Sequence, residues 1–238
     1  MTAVGTDVAP ARRTGQWVAR TLGELLVTLG VLLLLLVVYQ VWWTNVASDR
    51  ATATASRQLE AQWDGAGRGQ PMGGQEYPDG VRGGEGFAFL YLPRLGDGWR
   101  EPVIQGVTLD DLAKGVGHYA DSALPGEVGN FAVAGHRATN GEPFATLDRI
   151  RQGDYAVVET ATTFYVYRLG DPFIVAPTRV DVVAPVPDQP GAVPTQRLIT
   201  LTTCNPRWAS YERMIIHGTL VETRPKSDGL PPQLSGGG

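Results

Sequence analysis

Thr200-Leu201-Thr202-Thr203-Cys204-Asn205-Pro206 is the segment that contains the chain's only cysteine. Residues 197–203 are mostly β-branched or leucine, which indicates a short strand that ends at the sulfur. Pro206 cannot donate to a β-ladder, so strand pairing should stop there. A second apolar run, 214–221, begins just after Arg213, and we expect the two runs to be neighbouring strands on which Cys204 faces Arg213. A buried structural thiol is the alternative, because free cysteine is among the most buried residue types.

A pattern of short strands surrounds this segment. The candidates are residues 86–92, 99–104, 130–135, 154–160, 163–169, 173–176, 197–203 and 214–221. Helical signal is brief: a capped turn at Thr108 and a turn or two within 142–151. About eight short strands with few helices predict a mostly β chain folded as a closed or nearly closed barrel. The proline-rich stretch 184–194 should be a long surface loop that overhangs the thiol.

The composition is that of an ordinary globular protein. The chain has 238 residues, 18% of them charged and 43% hydrophobic, with a net charge of -4. This leaves room for one substantial domain with extensions and gives no indication of a nucleic-acid partner. A single cysteine excludes an intrachain disulfide, so stability must come from packing.

The N-terminal region decides the compartment. Residues 25–43 carry no charge and are long enough to cross a hydrocarbon core of roughly 30 Å as a helix. Arg12, Arg13 and Arg20 precede this run, which predicts that the N-terminus lies inside the cell. A cleaved signal peptide is the alternative, since Ala-x-Ala triplets occur within 51–55. The length of the run and the aromatic cluster that ends it favour a retained anchor.

The sequence therefore predicts five segments. Residues 44–84 are poor in large aliphatics and should form a stalk or linker, helical near 48–63 and loose afterwards. The tail, rich in proline and glycine, should be disordered. The predicted boundaries are a cytoplasmic segment at 1–21, a transmembrane anchor at 22–43, an extracellular stalk at 44–84, a folded domain at 85–224 and a disordered tail at 225–238.

A histidine upstream completes a chemical set with the cysteine. His136 ends an apolar strand candidate, directly after Gly135. A neighbouring imidazole can take the proton of a thiol, whose unperturbed pKa of about 8.5 leaves little thiolate at neutral pH. Arg213 keeps its charge and could stabilise a thiolate or an oxyanion. Cys204, His136 and Arg213 are thus candidates for nucleophile, acid/base and electrophile.

At these residues the chain resembles the sortases, membrane-anchored cysteine transpeptidases of Gram-positive bacteria. The stretch 200–204, followed by Arg213 and preceded far upstream by Gly135-His136-Arg137, resembles their TLxTC…R signature over about residues 85–223. Three further stretches are most similar to class E sortases of actinobacteria: Gly117-His118-Tyr119, Leu124-Pro125-Gly126 and residues 129–136.

The resemblance implies an architecture and a reaction. The fold would be an eight-stranded sortase-type β-barrel with short helices after one transmembrane helix, and 85–224 would be the catalytic domain. Cys204 would attack the Thr–Gly bond of an LAxTG-type sorting signal to form a thioacyl enzyme. His136 would act as acid and base, and Arg213 would position the substrate and stabilise the oxyanion.

The resemblance also implies partners and a location. An amine of a peptidoglycan precursor, lipid II, would resolve the intermediate, so surface proteins with sorting signals and this precursor would be the partners. The membrane would hold the N-terminal helix as a single pass, with the N-terminus cytoplasmic and the catalytic domain outside. No cofactor, metal or nucleic acid is implied.

Four further residues are candidates for a role in the site or in the fold. Tyr119 resembles a class E tyrosine near the substrate groove, with simple packing as the alternative. Thr203 is a candidate for the substrate site, where its backbone could contribute to the oxyanion pocket. His118 is expected at a helix end or in a loop. His217 is expected to be structural, on the same face of its strand as Arg213.

Acidic residues follow the His136 strand. Some sortases bind calcium with loop carboxylates near there, but Glu142, Asp148 and Asp154 are scattered among arginines, so solvated surface is the favoured interpretation. Two other classes of function stay open. A cysteine hydrolase or L,D-transpeptidase would also use cysteine and histidine, although the latter usually has His and Gly just before its cysteine. A non-enzymatic anchored β-domain would predict an unreactive Cys204.

Overall fold

The computed structural model of this protein describes residues 11–69, 76–77 and 80–235. Short 3-10 turns lie in several connections, among them Leu147–Arg149 and Val180–Val183. The helices and strands, in chain order, are α1 (Ala11–Gly69), β1 (Gly86–Tyr91), β2 (Arg100–Gln105), α2 (Leu109–Leu112), β3 (Val116–His118), β4 (Gly129–Ala134), β5 (Tyr155–Glu159), β6 (Thr163–Leu169), β7 (Phe173–Val175), β8 (Arg197–Asn205) and β9 (Glu212–Pro225).

Eight of these strands close into a barrel. The order of hydrogen-bonded neighbours is β6-β5-β1-β2-β3-β4-β8-β9, and the second half of β9 returns to pair with β6. The short strand β7 pairs with the first residues of β9, outside this ring. The predicted eight-stranded barrel is therefore confirmed.

Alternation along the strands separates the core from the outer face. Successive side chains of a strand point to opposite faces, so every second residue shares a face. On the neighbouring strands β4, β8 and β9, alternate residues belong to the hydrophobic core. These are Phe131 and Val133 of β4, Ile199 and Leu201 of β8, and Met214 and Ile216 of β9. The residues between them consequently point outward.

All eight predicted strands are present, and the structure adds β3, which the sequence does not predict. This strand has three residues with a glycine at its centre, too few to show a periodicity. A Cβ at Gly117 would lie 2.4 Å from the carbonyl oxygen of Gly106, so the two backbones approach closely there. The predicted cap at Thr108 is confirmed, because its side chain accepts from the amide of Asp111 and the Asp111 carboxylate accepts in return.

The helix α1 runs through two compact units, the first ending at Trp43 and the second beginning at Thr44. It contains a stretch long and apolar enough to cross a membrane, judged by length and composition. The leucine and valine side chains of this stretch in the first unit are exposed. Length and composition thus agree with the predicted anchor, and its orientation stays a prediction.

In the second unit, α1 packs against the barrel. Ala55, Leu59 and Trp63 recur every fourth residue and so form one stripe along the helix. Leu59 is 2% exposed, and the Trp63 ring packs edge-to-face on Phe89 with centroids 5.4 Å apart. The sequence predicts a stalk that loosens after Trp63. Instead, the helix continues to Gly69 and its second half is part of the folded unit.

Two other expectations differ from the structure. The predicted disordered tail is ordered through Ser235: Leu234 packs on Val157, Phe164 and Val166, and Lys226 Nζ lies 2.6 Å from the carboxylate of Glu159. Residues 236–238 lie outside the described residues.

The loop 184–194 does not overhang the thiol. Asn130 Nδ2 donates to the carbonyl of Ala184 at 3.0 Å, and Asn130 lies opposite Leu198. Leu198 precedes Cys204 by six residues, which is roughly 20 Å along an extended strand. The expectation was wrong because the loop is held at the start of β8, and the cysteine lies at its end.

Candidate active site

Three neighbouring strands bring the predicted residues to one edge of the barrel. Strand β8 lies between β4 and β9, and Cys204 is directly opposite Arg213 in the antiparallel β8–β9 pair. Ala134 is opposite Thr202 in the parallel β4–β8 pair, and the Gly135 amide donates to the Thr202 carbonyl at 3.1 Å. His136 is the next residue, so it leaves β4 at the level of Cys204.

These three residues also share a face. Because Ile199 and Leu201 point into the core, Cys204 points outward. Arg213 also points outward, since it directly precedes the core residue Met214. His136 continues the outward series of Ala134. The thiol is free and half-buried, at the barrel edge rather than in the core. This geometry argues against a buried structural cysteine.

His136 presents an unoccupied ring nitrogen. Burial lowers the pKa of its imidazole below the ordinary value of 6.5, so the ring is neutral at pH 7. Among the described residues, its buried Nε2 atom has no hydrogen-bond partner. A buried polar atom without a partner is unusual in a folded protein. This nitrogen is therefore available to accept or donate a proton.

Arg213 keeps its positive charge unneutralised. Its Nη1 atom donates to the carbonyl oxygens of Ser210 and Glu212, each at 2.8 Å. None of the ion pairs found among the described residues includes Arg213. The guanidinium is thus held by backbone contacts on one side and has donors left for an anionic oxygen.

Tyr119 lies within electrostatic reach of two of the three residues. Its amide donates to the Ala132 carbonyl at 3.0 Å, just after β3. Burial raises the pKa of the Tyr119 phenol, the charge of Arg213 lowers it, and Cys204 adds to the rise. Arg213 and Cys204 therefore both influence this phenol, and its role in substrate contact stays a prediction.

Thr203 points away from the site. Its side chain is 3% exposed, and Oγ1 donates to the Gly135 carbonyl at 2.7 Å, which joins β8 to β4. Its predicted contribution rests on the backbone alone and stays a prediction.

The other two histidines lie apart from this edge. The sequence predicts a loop or a helix end for His118, but it is fully buried in β3, between the rings of Phe87 and Phe131. His217 shares the outward face of β9 with Arg213, as predicted, and its Nδ1 atom lies 2.9 Å from Thr200 Oγ1.

The stability of the fold should fall in acid because of His118. Burial lowers the pKa of His118 to about 4, whereas an unfolded histidine has a pKa near 6.5. The unfolded state therefore binds the proton more readily, and stability is lost as pH drops below about 6.5. Between pH 7 and pH 5 the loss from this residue is about 2 kcal/mol.

Denaturant unfolding at the two pH values measures this loss. The control is His118→Gln, which removes the titrating group. We expect it to be less stable at pH 7 through lost packing, but with a smaller change between pH 7 and pH 5. An equal change in both proteins would contradict the assignment to His118.

The acidic residues after His136 are each paired with an arginine. The carboxylates of Glu142, Asp148 and Asp154 contact Arg207, Arg137 and Arg94 respectively. Within the described ranges, no group of three or more histidine, cysteine, aspartate or glutamate side chains could hold a metal ion. The solvated-surface interpretation fits Asp148 but is wrong for Glu142 and Asp154, whose side chains are only 15% and 17% exposed.

The loop that carries Glu142 has an unusual backbone. Residues 139–142 all have left-handed φ values, of 63°, 49°, 79° and 48° in order. Such conformations are costly for non-glycine residues and occur where surrounding contacts hold them. Asn45 of α1 supplies such contacts: it accepts from the Gly141 amide at 3.3 Å and donates to Glu142 at 3.2 Å.

Sequence reasoning missed a chain of polar side chains beside the site. Arg137 donates to the carboxylate of Asp148 at 3.1 Å and to the side-chain oxygen of Asn205. Asn205 Nδ2 in turn donates to the Glu212 carboxylate at 2.6 Å. Arg137, Asn205 and Glu212 each lie directly next to one of the three predicted residues in the sequence, and this is the only signal that could have indicated them.

The chain is similar in sequence and in structure to known proteins. The family model described as Sortase domain matches residues 90–221. The chain is 40% identical to Sortase SrtE1 of Streptomyces coelicolor over 236 residues, which is 95% of this chain but 64% of that protein. It is 37% identical to Sortase SrtE2 of the same organism, covering 96% of this chain and 94% of that one. The solved structure of sortase E from Streptomyces avermitilis has 42% identity and a TM-score of 0.59, covering 64% of this chain and 99% of that one.

Proposed function

Since this chain belongs to the sortase family, we propose that it is a cysteine transpeptidase that acts through Cys204, His136 and Arg213. The observation that supports this most strongly is the strand register. Cys204 lies directly opposite Arg213 in the β8–β9 pair, and His136 is the residue after Gly135, whose amide still bonds to β8. Nucleophile, proton carrier and fixed cation are the three components that acyl transfer through a thioester needs.

The first half-reaction forms the acyl enzyme. His136 takes the proton of the Cys204 thiol, and the resulting thiolate attacks the carbonyl carbon of threonine in a sorting signal. The oxyanion that forms is stabilised by Arg213. When the tetrahedral intermediate collapses, the Thr–Gly C–N bond breaks and His136 gives its proton to the leaving glycine amine. The products are a thioester on Cys204 and a free C-terminal fragment.

The second half-reaction reverses the protonation. An incoming amine attacks the thioester carbonyl and loses a proton to His136, and the C–S bond breaks to release Cys204. The lowered pKa of His136 suits this step, because a neutral imidazole is the form that accepts a proton. We propose a peptidoglycan precursor, lipid II, as the amine donor, and a surface protein as the acyl donor.

The location follows from the N-terminal segments. We propose that residues 22–43 form a single-pass anchor, with residues 1–21 cytoplasmic and the catalytic domain, 85–224, outside the cell. The uncharged run and the arginines before it support this orientation. A site outside the cell would be able to reach both surface proteins and cell-wall precursors.

We propose an LAxTG-type sorting signal, on the basis of the resemblance of residues 117–119, 124–126 and 129–136 to class E sortases. The full chain in detergent micelles, incubated with LAxTG and LPxTG peptides and an amine acceptor, should give a kcat/KM at least about 10-fold higher for LAxTG, a difference that one pocket residue can produce. Mass spectrometry would follow the acyl enzyme and the ligated product together. An equal or reversed preference would reject the signal, and hydrolysis without ligation would favour a cysteine hydrolase instead.

A further inference from the structure

The polar chain beside the site begins with a buried cation. Arg137 is the one arginine or lysine that is buried in the described part of the chain, and its side chain is 9% exposed. Burying a guanidinium is expensive unless its donors are satisfied. Asp148 and Asn205 satisfy two of them, whereas Nε has no partner among the described residues. Because burying this guanidinium costs free energy, we expect Arg137 to have a role other than packing.

The backbone ladder ends just before it would fix His136. Among the described residues, the last backbone–backbone hydrogen bond at this end joins the Gly135 amide to the Thr202 carbonyl, and the Thr203 hydroxyl donates to the Gly135 carbonyl. Beyond Gly135, the hydrogen bond from the Arg137 side chain to the Asn205 side chain joins the segment after β4 to the end of β8. His136 therefore lies between a ladder bond on one side and this side-chain bond on the other.

Asn205 extends the connection to the third strand. It is opposite Glu212 in the last pair of the β8–β9 ladder, immediately after the Cys204–Arg213 pair. Its Nδ2 atom donates to the Glu212 carboxylate at 2.6 Å, and its oxygen accepts from Arg137. One amide thus joins the residues that adjoin His136, Cys204 and Arg213 along the chain.

We propose that Arg137, Asn205 and Glu212 are positioning residues, which hold the three strand ends so that His136, Cys204 and Arg213 converge. They act through their neighbours and do not touch the substrate. This inference rests on the proposed function of the three residues. A displacement of about 1 Å in a reacting group can cost on the order of 10²-fold in rate, so small shifts of the strand ends matter.

The chain offers a matched control for Asn205. Asn130 is also an asparagine that bridges β4 and β8, accepting from Thr200 Oγ1 at 2.8 Å and donating to Ala184. It lies at the opposite end of the same two strands, level with Leu198. Asn130→Ala should therefore destabilise the fold as Asn205→Ala does, without disturbing the site.

The test compares the two alanine variants in the full chain in detergent, with an LAxTG peptide and an amine acceptor. For Asn205→Ala we expect kcat to fall on the order of 10²-fold with KM nearly unchanged, since orientation and not binding is lost. For Asn130→Ala we expect a comparable fall in melting temperature and an unchanged kcat. If both variants lose stability alike and keep kcat, Asn205 is structural only and the proposal fails.

A donor–acceptor exchange tests the bond itself. Asn205→Asp keeps the acceptor for Arg137 but turns a second carboxylate toward Glu212, so kcat should fall as in the alanine variant. Adding Glu212→Gln replaces that repulsion with a donor facing an acceptor and should restore most of kcat. A double variant no faster than Asn205→Asp would overturn the role of Glu212.

A readout without turnover separates this proposal from the proposed function. The side-chain NMR signals of His136 should shift in Asn205→Ala and not in Asn130→Ala, whatever the enzyme does to peptides. Unchanged His136 signals would overturn positioning even in an active enzyme. A wild-type chain that forms no acyl adduct would instead overturn the proposed function.

Discussion

Replacing Cys204 with alanine is expected to abolish transfer, with a loss of at least about 10⁴-fold in kcat, the scale seen when a covalent nucleophile is removed. The chain has no second sulfur nucleophile, because Cys204 is its only cysteine. Arg213 and His136 would still be present but could form no covalent intermediate. Mass spectrometry of the intact protein after exposure to an LAxTG peptide should show an acyl adduct on the wild type and none on the variant.

Cys204→Ser is the control for this experiment. It keeps the shape of the side chain but offers a hydroxyl, which is far less ionised than a thiol near neutral pH. Both variants should melt close to the wild type, because Cys204 is half-buried at the barrel edge. An adduct on Cys204→Ala, or turnover by it, would remove the basis of the mechanism.

Replacing His136 with glutamine should lower kcat by about 10² to 10⁴-fold, the range for losing a general acid and base. The effect belongs to proton transfer, since its Nε2 atom has no other partner among the described residues. A thioester analogue of the sorting peptide has a leaving group that needs no proton. His136 would still be needed to take the proton of the Cys204 thiol. The variant should therefore recover a larger share of the wild-type acylation rate with the thioester than with the peptide, but not all of it.

His217→Gln is the matched control for His136. It removes an imidazole that lies on the outer face of β9 and bonds Thr200, away from the Cys204 edge. We expect its kcat to be close to that of the wild type with both substrates. If His136→Gln gained nothing from the thioester, its role as proton donor to the leaving group would be rejected.

The sequence predicts most of the barrel because its strands are long enough to show a pattern. Alternating or apolar runs of five or more residues mark β1, β4, β6, β8 and β9. The three residues of β3 are too few, so the sequence predicts a helix end or a loop for His118, which is in fact a fully buried strand residue. The closure of β9 onto β6 depends on residues some fifty positions apart, which no local pattern reports.

The residues of the candidate site also fall into two groups, those that the sequence indicates and those that only the fold reveals. Cys204, His136 and Arg213 are chemically rare residues at strand ends, so their types alone suggest a role. Arg137 and Asn205 are ordinary residue types whose importance comes from what they meet in space. A charged residue in a sequence is ordinarily predicted to lie at the protein surface, and only the fold reveals that Arg137 is buried.

The packing of α1 on the barrel decides where a soluble fragment should start. Cutting at residue 85, where composition changes, would strip Leu59 and Trp63 from the barrel and uncover Phe89. It would also delete Asn45, which secures the left-handed turn a few residues beyond His136. A fragment beginning at Thr44 retains both, and is the version in which crystallography and kinetics would report on the same intact catalytic unit.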